Sequence, residues 1–200
     1  MTIGRLDTSD AESDEAPTPA PVPGCPEDAV RQFVEHWGMM ARSWGINASM
    51  GELFALLYIS GDLWTAEALK ERLDVSRGNV SMNLRELMSW GVVHKVHRPG
   101  ERREFYRAET DVWTLFRRIL CERKRRELDP TLLVLERTVA LIKSESAPDR
   151  ARLDRIASLG RFFEQINGLA TRLLTLEPDE LDALLRLFDP GDDAPVSPSV

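Results

Sequence analysis

The chain has little of several things that mark catalysts, exported proteins or membrane proteins. It holds two cysteines and three histidines in 200 residues. Cys25 lies in an acidic, Pro-rich stretch and Cys121 in a helical pattern, so no structural disulfide is expected, and Cys121 reads as an inert, partly buried thiol. The histidines are His36, His94 and His97, and no nucleophile or oxyanion motif accompanies them. There is no CxxC pair, no HExxH and no phosphate-binding loop. His94 and His97 are three apart, which sends them to opposite faces of a regular strand and away from a shared metal. The expectation is a protein with no enzymatic activity, metal or cofactor. No apolar run is long enough to span a bilayer. The first residues lack a basic-then-apolar signal, so the expected location is the cytoplasm, with no membrane partner.

Positive charge is also scarce overall, the formal net charge being -7, and its distribution is uneven. The opening segment holds Asp7, Asp10, Glu12, Asp14, Glu15, Glu27 and Asp28 against Arg5 alone. The last residues add Asp189, Asp192 and Asp193. Both ends are rich in Pro, Ser and Ala, lack apolar periodicity and cannot bury enough surface to offset ordering entropy, so 1–26 and 189–200 are expected to be disordered tails. The body between them is slightly basic. Within it, "LDVSRGNVSMNLRELMSWGVVHKVHRPGERREFYR" carries Arg77, Arg85, Lys95, Arg98, Arg102, Arg103 and Arg107 against Asp74, Glu86, Glu101 and Glu104. An acidic protein thus gathers cations on one helix and one hairpin.

The body is of a size for one sizeable domain or two small ones sharing a core. Val30, Phe33, Val34, Trp37, Met40 and Ala41 recur at helical spacing from about Pro26 to Trp44. "NASMGELFALLYISG" reads as a second helix, capped by Asn47 or Ser49 and stopped by Gly61, with Leu53, Leu56 and Leu57 as its apolar face. Thr65 caps a short third helix whose inner face is Ala68, Leu69 and Leu73. A turn, "DVS", leads to a fourth helix from Arg77 to about Trp90. "VVHKVH" and "REFYRAE" read as strands around Pro99-Gly100, which suits the centre of a type II turn. "DVWTLFRRILCERKRREL" follows as one helix. Asp129-Pro130 is expected to cap and open another, Asp149 starts a third that runs to about Thr175, and Pro178 opens a last one ending near Phe188.

Two helices joined by three residues, the second capped and polar outside, form a helix-turn-helix. At about 100° per residue, Val80, Leu84 and Leu87 share one side of the fourth helix, while Gly78, Met82, Arg85 and Ser89 share the other, flanked by Ser81 and Glu86. Ser76 is a good N-cap, and free amides beside it favour phosphate. Gly78 and Ser81 are small enough to let backbone approach a duplex closely. Arg77 and Arg85 can pair with phosphate or bidentately with guanine, and Asn79 can reach an adenine edge or a phosphate. The hairpin then supplies a wing. Arg98, Arg102 and Arg103 at its tip can reach a minor groove or its phosphate walls, with Lys95 and Arg107 on the backbone. The expected partner is double-stranded DNA. The competing reading is a winged helix used for protein–protein assembly without specific DNA binding. That use calls for an exposed apolar patch, whereas only Met82 is apolar here.

The blocks "VSRGNVSMNLREL" and "PGERREFY", with the upstream "HWGMMARSWGINASMGELFALLYISG" and the downstream "ERKRRELDPTL", resemble the GbsR branch of the MarR-like winged-helix transcription regulators. The resemblance covers about Phe33 to Leu133. It implies a homodimeric regulator, usually a repressor, with one winged helix per subunit, and some members of the branch respond to choline-like compounds. The expected architecture is mainly α: a winged helix-turn-helix domain over 27–110 with a two-stranded β wing, then a helical dimerisation region over 111–188. Leu153, Ile156, Phe163, Ile166, Ala170 and Leu173 give the long penultimate helix an apolar stripe for an isologous interface. The alternative for that stripe is a bundle within one subunit. Arg117, Arg118, Arg123, Lys124, Arg125 and Arg126 read as the solvated face of a linker helix, paired with acids elsewhere. Five tryptophans are many for this length. Trp37, Trp44 and Trp113 lie on segments that can meet, and their ring faces suit a quaternary ammonium effector, although tryptophans at helical spacing are ordinarily core.

Overall fold

The computed structural model describes residues 26–146 and 149–187. The expectations for the acidic tails, for Cys25 and for Phe188 lie outside those residues.

The chain opens with α1 (Glu27–Ser43), whose Val30, Val34, Gly38 and Ala41 are buried along one stripe. Glu27 and Asp28 in its first turn and Arg42 in its last turn complement the helix dipole. α2 (Ala48–Ser60) starts at Asn47, whose side chain accepts a hydrogen bond from the Ser49 amide at 2.9 Å. The sequence assigned α2 a single apolar face. In the structure Met50, Gly51 and Leu53 to Leu57 are all buried, because α2 is the central helix of the domain, with neighbours on every side. Gly51 permits the close crossing with α1: a Cβ there would lie 2.6 Å from the Ala41 Cβ and 2.8 Å from the Trp37 carbonyl oxygen.

A two-residue strand, β1 (Trp64–Thr65), follows α2. The sequence reading held no strand here, since two residues carry no period. Thr65 also caps α3 (Ala66–Leu73), accepting from the Ala68 amide at 3.2 Å. Asp74 ends α3 in the left-handed region at φ 50°, a conformation that Asp tolerates better than most side chains. α4 (Arg77–Ser89) begins after Ser76, whose hydroxyl accepts from the Asn79 amide at 3.2 Å. β2 (Val93–Val96) and β3 (Phe105–Ala108) pair antiparallel, and β1 joins the far side of β3, giving the sheet order β1-β3-β2. Between β2 and β3 the Glu101 amide bonds to the Arg98 carbonyl at 3.1 Å and Gly100 takes φ 83°, as a type II turn with Pro99-Gly100 at its centre requires. The fold is a winged helix-turn-helix. Its core joins Val30, Leu53, Leu56, Leu57, Leu69, Val80, Leu84, Leu87 and Val93. Burying each of the leucines contributes about 1.5–3 kcal/mol.

α5 (Val112–Arg123) leaves the wing with Asp111 as cap, accepting from the Thr114 amide at 2.7 Å. The expectation that Asp129-Pro130 caps a new helix is overturned. Residues Lys124–Leu128 form a π-helical turn, and Leu128 and Asp129 keep helical dihedrals into α6 (Asp129–Lys143) without any cap. A proline inside an α-helix loses a hydrogen bond and presses on the carbonyl four residues back; the wider turn relieves that pressure, so the rod continues. Cys121 is exposed, correcting the expectation of a partly buried thiol. α5 packs through Leu115 and Glu122, which leaves Cys121 on the outer side. α7 (Arg150–Thr175), capped by Asp149, lies along α6, and α8 (Pro178–Arg186) ends the described chain. Among the described residues no helix is long and apolar enough to cross a membrane.

Candidate nucleic-acid interface

Core packing decides which side of α4 is free. Val80, Leu84 and Leu87 point into the core and Asn83 is buried beside them. Arg77, Gly78, Ser81, Met82, Arg85 and Ser89 are all exposed. The outer face is therefore small, polar and cationic around one methionine. The Arg85 Nε donates to the Ser81 carbonyl at 3.2 Å, which lays the side chain along the helix with its terminal nitrogens outward. A Cβ at Gly78 would meet nothing closer than the Ser76 hydroxyl at 3.9 Å, so the surface there is open. Asn79 is half-buried and its Oδ1 accepts from Asn83 Nδ2 at 2.8 Å, which leaves its amide nitrogen for any outside partner.

The wing tip carries the rest of the charge. Arg98 stacks on the Phe105 ring at 4.8 Å, and Arg103 pairs with Glu101 at 3.2 Å. Lys95 bonds to Glu104, which also accepts from the Tyr106 hydroxyl at 2.9 Å. That lysine holds the Glu104 carboxyl below its usual range, while burial pushes the Tyr106 hydroxyl up to about 12. Arg102 and Arg107 are exposed, and neither makes an ion pair among the described residues. The site residues read from the sequence thus fall into two groups. Arg77, Gly78, Ser81, Arg85 and Arg102 stand outward, whereas Ser76, Asn79, Lys95, Arg98 and Arg103 are already engaged within the protein.

Sequence reasoning missed a clasp behind α4. Arg126, in the π turn, bonds to Glu86 of α4 and to Glu122 of α5, and its guanidinium lies 5.3 Å over the Trp90 ring. Trp90 Nε1 donates to Glu86 at 3.1 Å, and Arg125 Nε donates to Glu122 at 3.0 Å. Arg126 holds the Glu86 carboxyl below its usual range, and Arg125, ahead of Arg126, does the same for Glu122. Arg118, on α5, bonds to the Gly91 carbonyl and pairs with Glu109 at 3.2 Å. Five cations of the basic run therefore pair with acids, as the sequence suggested, whereas Arg117 donates to the Leu176 carbonyl. Arg126 ties the run to α4, and Arg118 ties it to the turn just after α4. No local signal could reveal this, because the partners lie 27 and 40 residues apart.

An apolar cavity of about 380 Å³ opens between α1, α2 and α5. Trp37, Trp44, Trp90, Phe54, Tyr58 and Phe116 supply its aromatic walls, and no charged side chain lines it. Trp113 does not border it; its ring stands edge-on to Phe116 at 6.5 Å. Arg123 covers one face of Trp44, 5.8 Å from the ring, and donates to the Trp44 carbonyl at 2.9 Å.

Fold and exposed face together define a winged helix-turn-helix protein with an outward cationic helix. No family model matches the chain. Among curated proteins it is similar to the Bacillus subtilis (strain 168) protein named "Putative HTH-type transcriptional regulator YvaV", 24% identical over 90 residues, which are 45% of this chain and 51% of that protein. The chain spans about half the length of that relative. Among solved structures it is similar to one titled "Crystal Structure of a transcriptional regulator", with a TM-score of 0.56 and 20% identity, covering 80% of this chain and 98% of that one. At such identity the likeness shows the fold.

Proposed function

We propose that this chain is a sequence-specific DNA-binding transcriptional regulator of the GbsR-like kind. It acts as a homodimer that represses by occupying a pseudo-palindromic operator. The observation that carries the reading is the face of α4: Arg77, Gly78, Ser81 and Arg85 are exposed while Val80, Leu84 and Leu87 are buried. A capped helix with that face enters a major groove, and Arg102 on the adjoining wing meets phosphate. The names of the relative and of the similar structure support the same class. Residues 27–110 form the reading head and 111–188 the dimerisation region. Of the stripe read from the sequence, Leu153, Ile156, Phe163 and Leu173 are half-buried and Ala170 is buried within the chain, which leaves Ile166 exposed. With Leu159, Phe162 and Leu169 on α7 and Leu133, Val134 and Leu141 on α6, it is the exposed apolar surface that a second subunit would cover. Footprinting the full chain on sheared genomic DNA tests the proposal. The expected result is protected half-sites about one helical turn apart. Uniform, salt-labile coating of every fragment would refute it.

The aromatic cavity favours control by a small effector. With no carboxylate in the lining, a quaternary ammonium would be held by ring faces alone. Its occupancy would favour one separation of the two heads. Titrating choline against tryptophan emission checks this: a saturable change that is lost in Trp37→Ala is expected, and a flat response refutes it.

A further inference from the structure

Met82 is out of place for a soluble helix. It is 60% exposed, near the centre of the outer face of α4. From Ile46 to Asp111 every other large apolar side chain is buried or half-buried. The core has no vacancy for it, because Val80, Leu84 and Leu87 already fill the inner face. Its surroundings on α4 are cationic or small: Gly78 lies one turn before it, Ser81 beside it and Arg85 almost one turn after. Glu86, the nearby acid, is drawn back by Arg126 and Trp90.

We propose that Met82 reads the 5-methyl group of a pyrimidine on the floor of the major groove. The inference rests on the DNA-binding reading above and names the base feature recognised. The major groove displays hydrogen-bonding groups and a single kind of apolar group, the methyl at C5 of thymine or of methylated cytosine. The cations around Met82 match a polyanion rather than an apolar protein surface. Gly78 removes the side chain that would hold the helix off the groove floor. The unbranched, polarisable thioether adapts to a methyl group at low cost. Arg85, on the same face, would fix the register from a neighbouring guanine or phosphate.

The test uses the full chain and a duplex enriched from a random pool. Each thymine of one half-site is replaced in turn by deoxyuridine, which removes only the methyl group. At one position the wild-type affinity should fall about fourfold, the worth of one buried methyl. In Met82→Gln, which keeps length and helix propensity, the thymine-to-uracil affinity ratio at that position should collapse to about one. With cytosine placed there, 5-methylation should restore binding to wild type and leave Met82→Gln unmoved, which separates a general methyl reader from a thymine-only one. Two results overturn the proposal while leaving DNA binding intact: no methyl-sensitive position, or equal sensitivity in wild type and variant. A pool that yields no enriched duplex overturns the DNA-binding reading itself, and this inference with it. Enrichment of an apolar peptide competitor on the Met82 face would assign that face to a protein partner instead.

Discussion

Arg85 and Arg102 carry the same charge but, on the proposed function, would face different parts of a duplex. Arg85, exposed on α4, would stand over the groove floor, so Arg85→Ala should relax base preference at one position per half-site by about tenfold while leaving other positions alone. Competition between single-base variants of the selected duplex measures this. Arg102, exposed at the wing tip and without an ion pair among the described residues, would meet phosphate only. Arg102→Ala should weaken all duplexes alike and reduce the salt slope by about one. An anisotropy titration over a salt series reads both quantities. Ser76 acts on the fold rather than on the ligand. Its hydroxyl satisfies the Asn79 amide at the start of α4, so Ser76→Ala should cost about 1 kcal/mol in urea unfolding.

At the scale of elements, α4 is held from behind by the clasp of Glu86, Trp90, Glu122 and Arg126. Glu122 is buried between two arginines that reach solvent, so Glu122→Gln should cost about 1 kcal/mol at neutral pH, a value discounted for that exposure. Its carboxyl titrates lower in the folded protein than in the unfolded chain. The contribution is therefore complete above the ordinary glutamate range, near pH 4.3, and is lost as pH falls through the lower folded value. Melting temperatures of wild type and Glu122→Gln should differ at neutral pH and converge on acidification. Much of the element plan was legible, because cap signals are local: Thr65 and Ser76 sit where hydroxyl-bearing residues precede apolar periodicity, and Pro99-Gly100 specifies its own turn. Local signals also misled. Asp129-Pro130 has the chemistry of a helix start, yet the π turn carries one rod through it. Within the site, the outward arginines follow from helical phase. The engagement of Asn79 by Asn83, of Arg98 by Phe105 and of Glu86 by Arg126 depends on contacts that no spacing rule reports.

For the whole molecule, the proposed dimer raises the question of how two winged helices would be held. α7 buries only Ala170 among the described side chains, while Leu159, Phe162 and Leu169 face outward. Replacing Phe162 and Leu169 together by glutamate should give a monomer in sedimentation with its helical circular dichroism retained. Affinity for the two-half-site duplex should then fall by about a hundredfold or more, since the second head no longer binds at high local concentration. The turn at Lys124–Leu128 bears on the same geometry. A π turn winds about one residue more into the same rotation than the α turn it replaces, so removing a single residue from it would leave everything beyond nearly in phase and would bring back the clash of Pro130 with the carbonyl four residues before it. The spare residue at this joint acts as a shim, and it is what lets a proline sit inside one continuous rod between the wing and α7.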